Sequence, residues 1–180
     1  GLREVHNPSE VLLSQRSINE SGTAIVAVME GTRPLLLEVQ ALVSPTGYSQ
    51  PQRVSTGYDT KRLQMILAIL EKRGGLQVRA SDVFVNVAGG IAVQDPAIDL
   101  GVAVAVASSV YDVALPQATA FVGELGLTGE IRRVAYLEQR LTEAARLGLE
   151  RVYAATDASV ASTVLRKADK LSLILTELFR

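Results

Sequence analysis

The sequence predicts an α/β fold, a mixed sheet with packed helices in one domain, and three observations lead there. Strand-like runs come first along the chain and then alternate with helical ones, without an internal repeat. Its 180 residues are the length of one compact domain, and folding a chain of that size buries roughly 70% of its unfolded surface. Apolar residues make up 48% and charged residues 21%, a globular rather than a disordered composition.

The elements read as follows. Residues 1–19 form a lead-in segment in which Asn7-Pro8-Ser9-Glu10 resembles a helix start before Val11-Leu12-Leu13. The opening Gly-Leu-Arg-Glu-Val, with no Met, reads as a piece of something longer. Thr23 to Glu30 and Leu35 to Val43 are β-rich and joined by Gly31-Thr32-Arg33-Pro34, so they are expected to form a hairpin. Ser44 to Thr56, with Pro45, Gly47 and Pro51 among polar residues, reads as a loop. From an N-cap at Asp59 or Thr60, Leu63, Ile66, Leu67 and Leu70 recur at helical spacing until Gly74-Gly75. Asp82 to Ala88 alternates as a strand, with Val83, Val85 and Val87 on one face and Phe84 and Asn86 on the other.

Asp95-Pro96 has the form of an N-cap followed by proline at the first helical position. The small apolar run Leu100 to Ser109 then makes a helix buried on most sides. Thr119 to Gly123 reads as a strand, Leu125 to Val134 as a strand pair turning at Thr128-Gly129, and Tyr136 to Leu147 as a helix ended by Gly148. Arg151 to Ala155 is a further strand. A helix from Asp157 or Ser159 to Lys167 and a last strand, Leu171 to Leu175, before a helical tail complete the expectation.

Composition excludes several kinds of chemistry. With no Cys and a single histidine, His6, there is no disulfide, no thiolate nucleophile or ligand and no multi-histidine metal site. Cysteine-free composition fits a cytoplasmic protein without requiring one. The apolar run from Leu100 to Val106 is far shorter than the roughly 20 residues that span a bilayer, so no membrane partner is expected. No Gly-x-x-x-x-Gly-Lys-Ser/Thr is present, so the chain carries no P-loop of its own. Formal net charge is −1, which gives no global field toward DNA. Three Phe, five Tyr and no Trp leave few stacking platforms, so any nucleic-acid contact would be mainly electrostatic.

The remaining motifs are open to two readings each. Gly89-Gly90 sits between a strand and a helix like a phosphate-binding turn, but lacks the dinucleotide spacing and is more simply a structural turn. Asp95 and Asp99 could be paired acids or a metal site, or could cap a helix. A Ser-His-Asp triad would depend wholly on His6, whereas a serine-lysine dyad stays formally open. Lys61 and Arg62 occupy a helical first turn, where the macrodipole disfavours cations. With Arg53 nearby they would suit a phosphate, or else a solvated surface or subunit salt bridges. Arg132-Arg133 is a second basic pair beside Glu130.

Several stretches, in order, resemble the bacterial RadA/Sms family: Pro51-Gln52-Arg53-Val54 leading to Gly57-Tyr58-Asp59, then Leu67-Ala68-Ile69-Leu70-Glu71-Lys72-Arg73, Asp95-Pro96-Ala97-Ile98-Asp99-Leu100 and Gly123 to Val134. In this region that family is similar to the proteolytic domain of Lon, a fold related to ribosomal protein S5 domain 2. The resemblance implies a Lon-like domain over residues 20–180, with 1–19 leading in from an ATPase that lies outside the chain. Lon-type peptidases carry their serine in Pro-Ser-Ala-Gly at a helix start and their lysine in Gly-Gly-Leu/Val-Lys-x-Lys. Matched proline to proline, Ala97 falls on the nucleophile, and with Glu124 to Glu138 lined up without gaps, Glu138 falls on the lysine. Neither half of the dyad is present at its matched position, and a non-proteolytic domain is expected.

The family further implies a hexameric branch-migration motor in recombination, with ATP, Mg and Zn bound only by its N-terminal domains and no cofactor in this region. Its Lon-like domain is expected to join the ring and contact DNA, single- or double-stranded, through Arg33, Arg53, Lys61, Arg62, Arg132 and Arg133. A pure assembly scaffold without DNA contact is the alternative.

Overall fold

The computed structural model describes residues 8–14, 18–156, 160 and 162–180. His6 and the expected start of a helix at Asp157 or Ser159 lie outside the described residues. The fold is α/β: a mixed seven-stranded sheet carries helices on both faces. In chain order the elements are α1 (Pro8–Ser14), β1 (Thr23–Glu30), β2 (Arg33–Pro45), β3 (Arg53–Thr56), α2 (Thr60–Gly74), β4 (Ser81–Val87), α3 (Asp99–Tyr111), β5 (Thr119–Phe121), β6 (Glu124–Leu125), β7 (Ile131–Arg132), α4 (Leu137–Arg146), β8 (Arg151–Ala154), β9 (Leu165–Lys167) and α5 (Leu171–Phe179). The sheet order is β3-β4-β2-β1-β5-β8-β9, and β6 and β7 form a separate hairpin.

Alternation in β1 and β2 decides the two layers. Val26, Val28, Leu37 and Val39 enter one core with α2, α3 and α5, while Ala27 and Leu36 enter the other with α4 and Leu13 of α1. The lead-in helix is therefore docked on the sheet, and the Ser9 hydroxyl accepts a 2.9 Å bond from the Leu36 amide. Every residue of α3 from Asp99 to Ser108 is buried, as its unbroken small apolar sequence requires. Gly101 allows this helix to lie against β1, because a Cβ there would stand 2.0 Å from Val26 Cγ1.

Three local expectations are corrected. The expected loop from Ser44 to Thr56 is extended at both ends: β2 continues through Pro45, and Arg53–Thr56 form an edge strand parallel to β4. Proline and glycine density conceals a strand of only four residues, whose order comes from pairing with Phe84 and Asn86. Near the C-terminus the expected helix and strand exchange places. Leu165–Lys167 pair with β8 as β9, and Leu171–Phe179 are helical. The run Leu171-Ser-Leu-Ile-Leu is too short to separate a period of two from one of 3.6. Burial of Leu171, Ile174 and Leu175 follows the helical spacing.

Candidate functional site

Two buried ion pairs organise the region around the start of α3. The chain enters it through a 3-10 turn at Pro96–Ile98, and Asp95 caps that turn with Oδ1 accepting a 3.0 Å bond from the Ala97 amide. The capping reading of Asp95 thus holds, but the carboxylate does more. Its Oδ2 accepts from the Met29 amide at 2.8 Å and from Arg140 Nη1 at 2.6 Å. Arg140, 2% exposed, also donates to the carbonyls of Ala27 and Ala135. One guanidinium therefore ties α4 to β1 and to the turn before α3.

Asp99, wholly buried, holds the second pair. Its oxygens accept from Tyr58 Oη at 2.8 Å, from Arg62 Nε at 3.0 and 3.1 Å, from Arg62 Nη2 and from the Leu125 amide at 3.1 Å. Arg62 also lies 3.6 Å from Glu124. Hydrogen bonding to Asp99 raises the guanidinium pKa still further, so it stays charged. Burial first, and then the Asp99 charge, push the Tyr58 phenol far above its ordinary value, so the hydroxyl remains a donor. Asp95 and Asp99 are thus neither a shared acid pair nor two caps, since each is neutralised by its own arginine.

Ala97 is completely buried, its methyl packed in the same core as Leu137 and Leu141. Glu138 is exposed in the first turn of α4, beside Leu137.

The basic residues expected to face DNA divide into three groups. Arg62 is turned toward Asp99 and Glu124, with its side chain 27% exposed. Arg53 is also committed within the chain, with its guanidinium donating to the carbonyls of Gln52, Ser81 and Val78 and holding the loop before β4. Arg33 is exposed at the β1–β2 turn opposite Glu30. Lys61, Arg132 and Arg133 remain exposed. Arg132 lies 3.3 Å from Glu130.

What the structure assembles instead is a ridge. The β6–β7 hairpin lies along α2, with Arg62 bound to its base at Leu125 O. At its tip, a Cβ on Gly129 would stand 3.1 Å from Arg73 Cβ. The Ile131 amide donates to Asp169 O and the Leu171 amide to Gly129 O, which brings the exposed Lys170 beside Glu130. Arg73 at the end of α2, Lys170 and Arg132 thus gather around one hairpin. Arg73 and Lys170 were given no contact role from the sequence, because their proximity depends on the hairpin folding back.

Glu130 is the internal clasp of that hairpin. Its carboxylate accepts from the Thr128 hydroxyl and from the Thr128 amide at 3.1 Å, and crosses so close to Gly126 that a Cβ there would collide with it. These bonds, the Thr128 hydroxyl foremost, lower its pKa to about 2 from 4.5. A depressed carboxylate contributes stability that is present above its unfolded value and lost as pH falls through the folded one. The expected result is that the hairpin loosens only between about pH 4.5 and 2. A carboxyl-carbon NMR titration of Glu130 checks this, and a midpoint near 4.5 would show the clasp absent in solution.

Among the described residues, no group of three or more His, Asp and Glu side chains converges as a metal site would require, and no helix is long and apolar enough to cross a membrane.

A mixed seven-stranded sheet with helices on both faces defines the class as α/β. The family model described as subunit ChlI of Mg-chelatase matches residues 59–157, from the cap of α2 to just beyond β8, and the chain belongs to that family. Among individual proteins it is similar to DNA repair protein RadA of Bacillus subtilis (strain 168), 50% identical over 152 residues, covering 84% of this chain and 33% of that protein. The proteins of the same name from Listeria monocytogenes and Streptococcus pneumoniae are each 53% identical over 153 residues, covering 85% of this chain and 34% and 36% of theirs. These identities bear out the RadA resemblance carried by the motifs. The chain spans about a third of the length of these curated relatives.

Proposed function

We propose that this chain is a non-proteolytic, Lon-like part of a DNA repair protein, contributing sequence-independent contact with the DNA backbone and subunit contact within a ring. The observation that carries the reading is its identity of 50–53% to proteins named DNA repair protein RadA. The hairpin ridge supports it with exposed cations at a net charge of −1, where contact must be local. The hexameric ring, the cytoplasmic location and an ATPase using ATP, Mg and Zn outside these residues belong to the same proposal.

The absence of peptidase activity is supported by chemistry at the two matched positions. A methyl group cannot attack a carbonyl, and a carboxylate cannot serve as the amine partner of a serine. A fluorogenic peptide assay is expected to show no turnover that tracks the protein through purification.

DNA contact is tested by fluorescence anisotropy across a salt series. Binding should be weak, indifferent to sequence and steeply salt-dependent, because each neutralised phosphate adds about −0.9 to the slope of log K against log salt. Arg73→Ala and Arg132→Ala should each reduce that slope by about 1 without changing sequence preference. Unchanged affinity and slope in both variants would remove the ridge from the reading. No binding at any salt, with self-association intact, would favour a scaffold alone.

A further inference from the structure

Of the large apolar side chains on the β6–β7 hairpin, only Leu127 faces solvent. Leu125 and Ile131 of the paired strands are buried, whereas Leu127, in the turn between them, is 66% exposed. The turn is tight. The Gly129 amide donates to the Gly126 carbonyl at 3.0 Å and the Gly126 amide to the Glu130 carbonyl at 3.0 Å, while Gly129 sits in the left-handed region at φ +81°. This is a three-residue hairpin loop closed by a glycine bulge, with Leu127 and Thr128 at its apex. It is held from three sides. The Glu130 carboxylate closes on Thr128, Gly129 approaches Arg73 of α2, and Gly129 and Ile131 bond to the backbone of Leu171 and Asp169 at the entry to α5.

We infer that Leu127 is a wedge that enters a base step of bound DNA while Arg73, Arg132 and Lys170 hold the flanking phosphates. This role rests on the DNA contact proposed for the same ridge and adds what the apex does there. An apolar side chain inserted between bases, with cations beside it, is how proteins unstack and kink a duplex with little regard to sequence. The tip has that composition. Arg73 lies beside Gly129, Arg132 is 3.3 Å from Glu130, and Lys170 is bridged to Glu130. Of the hairpin's own carboxylates, Glu130 is turned in to Thr128 and Glu124 lies 3.6 Å from Arg62 at the base, so neither charge is left uncompensated at the apex. Stiffness is the second requirement, because a wedge must not yield as the bases part, and the three-sided hold on the turn supplies it.

A protein surface is a poorer partner for this apex. A stable protein interface takes roughly 800 Å² from each side around an apolar centre. With Leu125 and Ile131 buried, the tip offers one leucine among cations. Base insertion asks for one side chain only.

The test measures binding of the 180-residue chain to two short duplexes of one sequence, one fully paired and one with a single-nucleotide bulge beside a 2-aminopurine. A step at the bulge is already unstacked, so the bulged duplex should bind at least about tenfold tighter, the scale of unstacking one step. The 2-aminopurine should brighten on binding as its stacking is lost. Leu127→Ala and, at similar length, Leu127→Gln should erase the preference and the brightening while the salt slope, set by phosphate contacts, stays as in the parent. A Glu130 carboxyl still titrating near 2 in these variants shows the turn intact. Leu127→Met, apolar and of similar volume, should keep both signals, and Arg73→Ala should weaken the two duplexes alike. Equal affinity of the parent for the two duplexes, or a preference that survives Leu127→Ala and Leu127→Gln, would overturn the wedge while salt-dependent binding kept the backbone contact. No binding to either duplex at any salt would remove both. Lowered self-association in Leu127→Ala with the preference intact would overturn it in favour of a subunit contact.

Discussion

Arg140→Met is expected to lower the unfolding free energy by about 3–5 kcal/mol, the usual cost of removing one partner from a buried ion pair. Methionine keeps most of the volume, so the loss reports charge and hydrogen bonding rather than a cavity. It leaves Asp95 without its counter-ion and the carbonyls of Ala27 and Ala135 without this donor. Asp95 retains the amides of Met29 and Ala97, which places Asp95→Asn below Arg140→Met in cost. The double variant Arg140→Met/Asp95→Asn should be less unstable than the sum of the two, because each single change strands the other's charge. Urea unfolding of the four proteins at neutral pH reads the cycle. Additive losses would show that the pair is not coupled.

Asp99→Asn is the second large effect, expected at about 3 kcal/mol, because every group around this carboxylate is a donor. Tyr58, Arg62 and the Leu125 amide all point hydrogens at it. An asparagine offers one acceptor oxygen and turns an NH₂ toward the rest. Arg62 keeps its contacts with Glu124, 3.6 Å away, and with the Leu125 carbonyl. The Leu125 amide then loses its carboxylate acceptor, so Leu125 should lose amide-exchange protection beyond what global unfolding explains. If the hairpin ridge contacts DNA, the same variant should weaken DNA binding without altering a basic residue. Loss of stability with unchanged Leu125 exchange would show that Asp99 does not anchor the hairpin.

These pairs show how far local sequence reading reaches. The cap at Asp95 was legible because Asp-Pro before an apolar run is a local signal, and the bond to the Ala97 amide confirms it. Arg140 was given no role from the sequence, although it left a trace. Leu137, Arg140, Leu141 and Ala144 are the buried positions of α4, so the charge sits on the apolar stripe of an amphipathic helix. An arginine there demands a buried carboxylate, but which one depends on three segments meeting. The partner of Arg62 was hidden for the related reason that first-turn cations look misplaced in an isolated helix. In the folded chain, Asp99 lies within hydrogen-bond distance of the guanidinium.

Local patterns along the chain were enough for the α/β class, the mixed order of strands and helices, the burial of α3 and the identity of Ala97 and Glu138 at the positions matched to the dyad. All of these follow from periodicity, turn chemistry or family motif, which act over a few residues. Only the tertiary structure decided that β3 and β9 are strands and α5 a helix, since short runs take their form from the surface they pack on. It also decided which arginines face inward, because an ion pair such as Arg62–Asp99 joins residues 37 positions apart. And it gathered Arg73, Arg132 and Lys170 around one hairpin, a property of three segments in contact and of no single one.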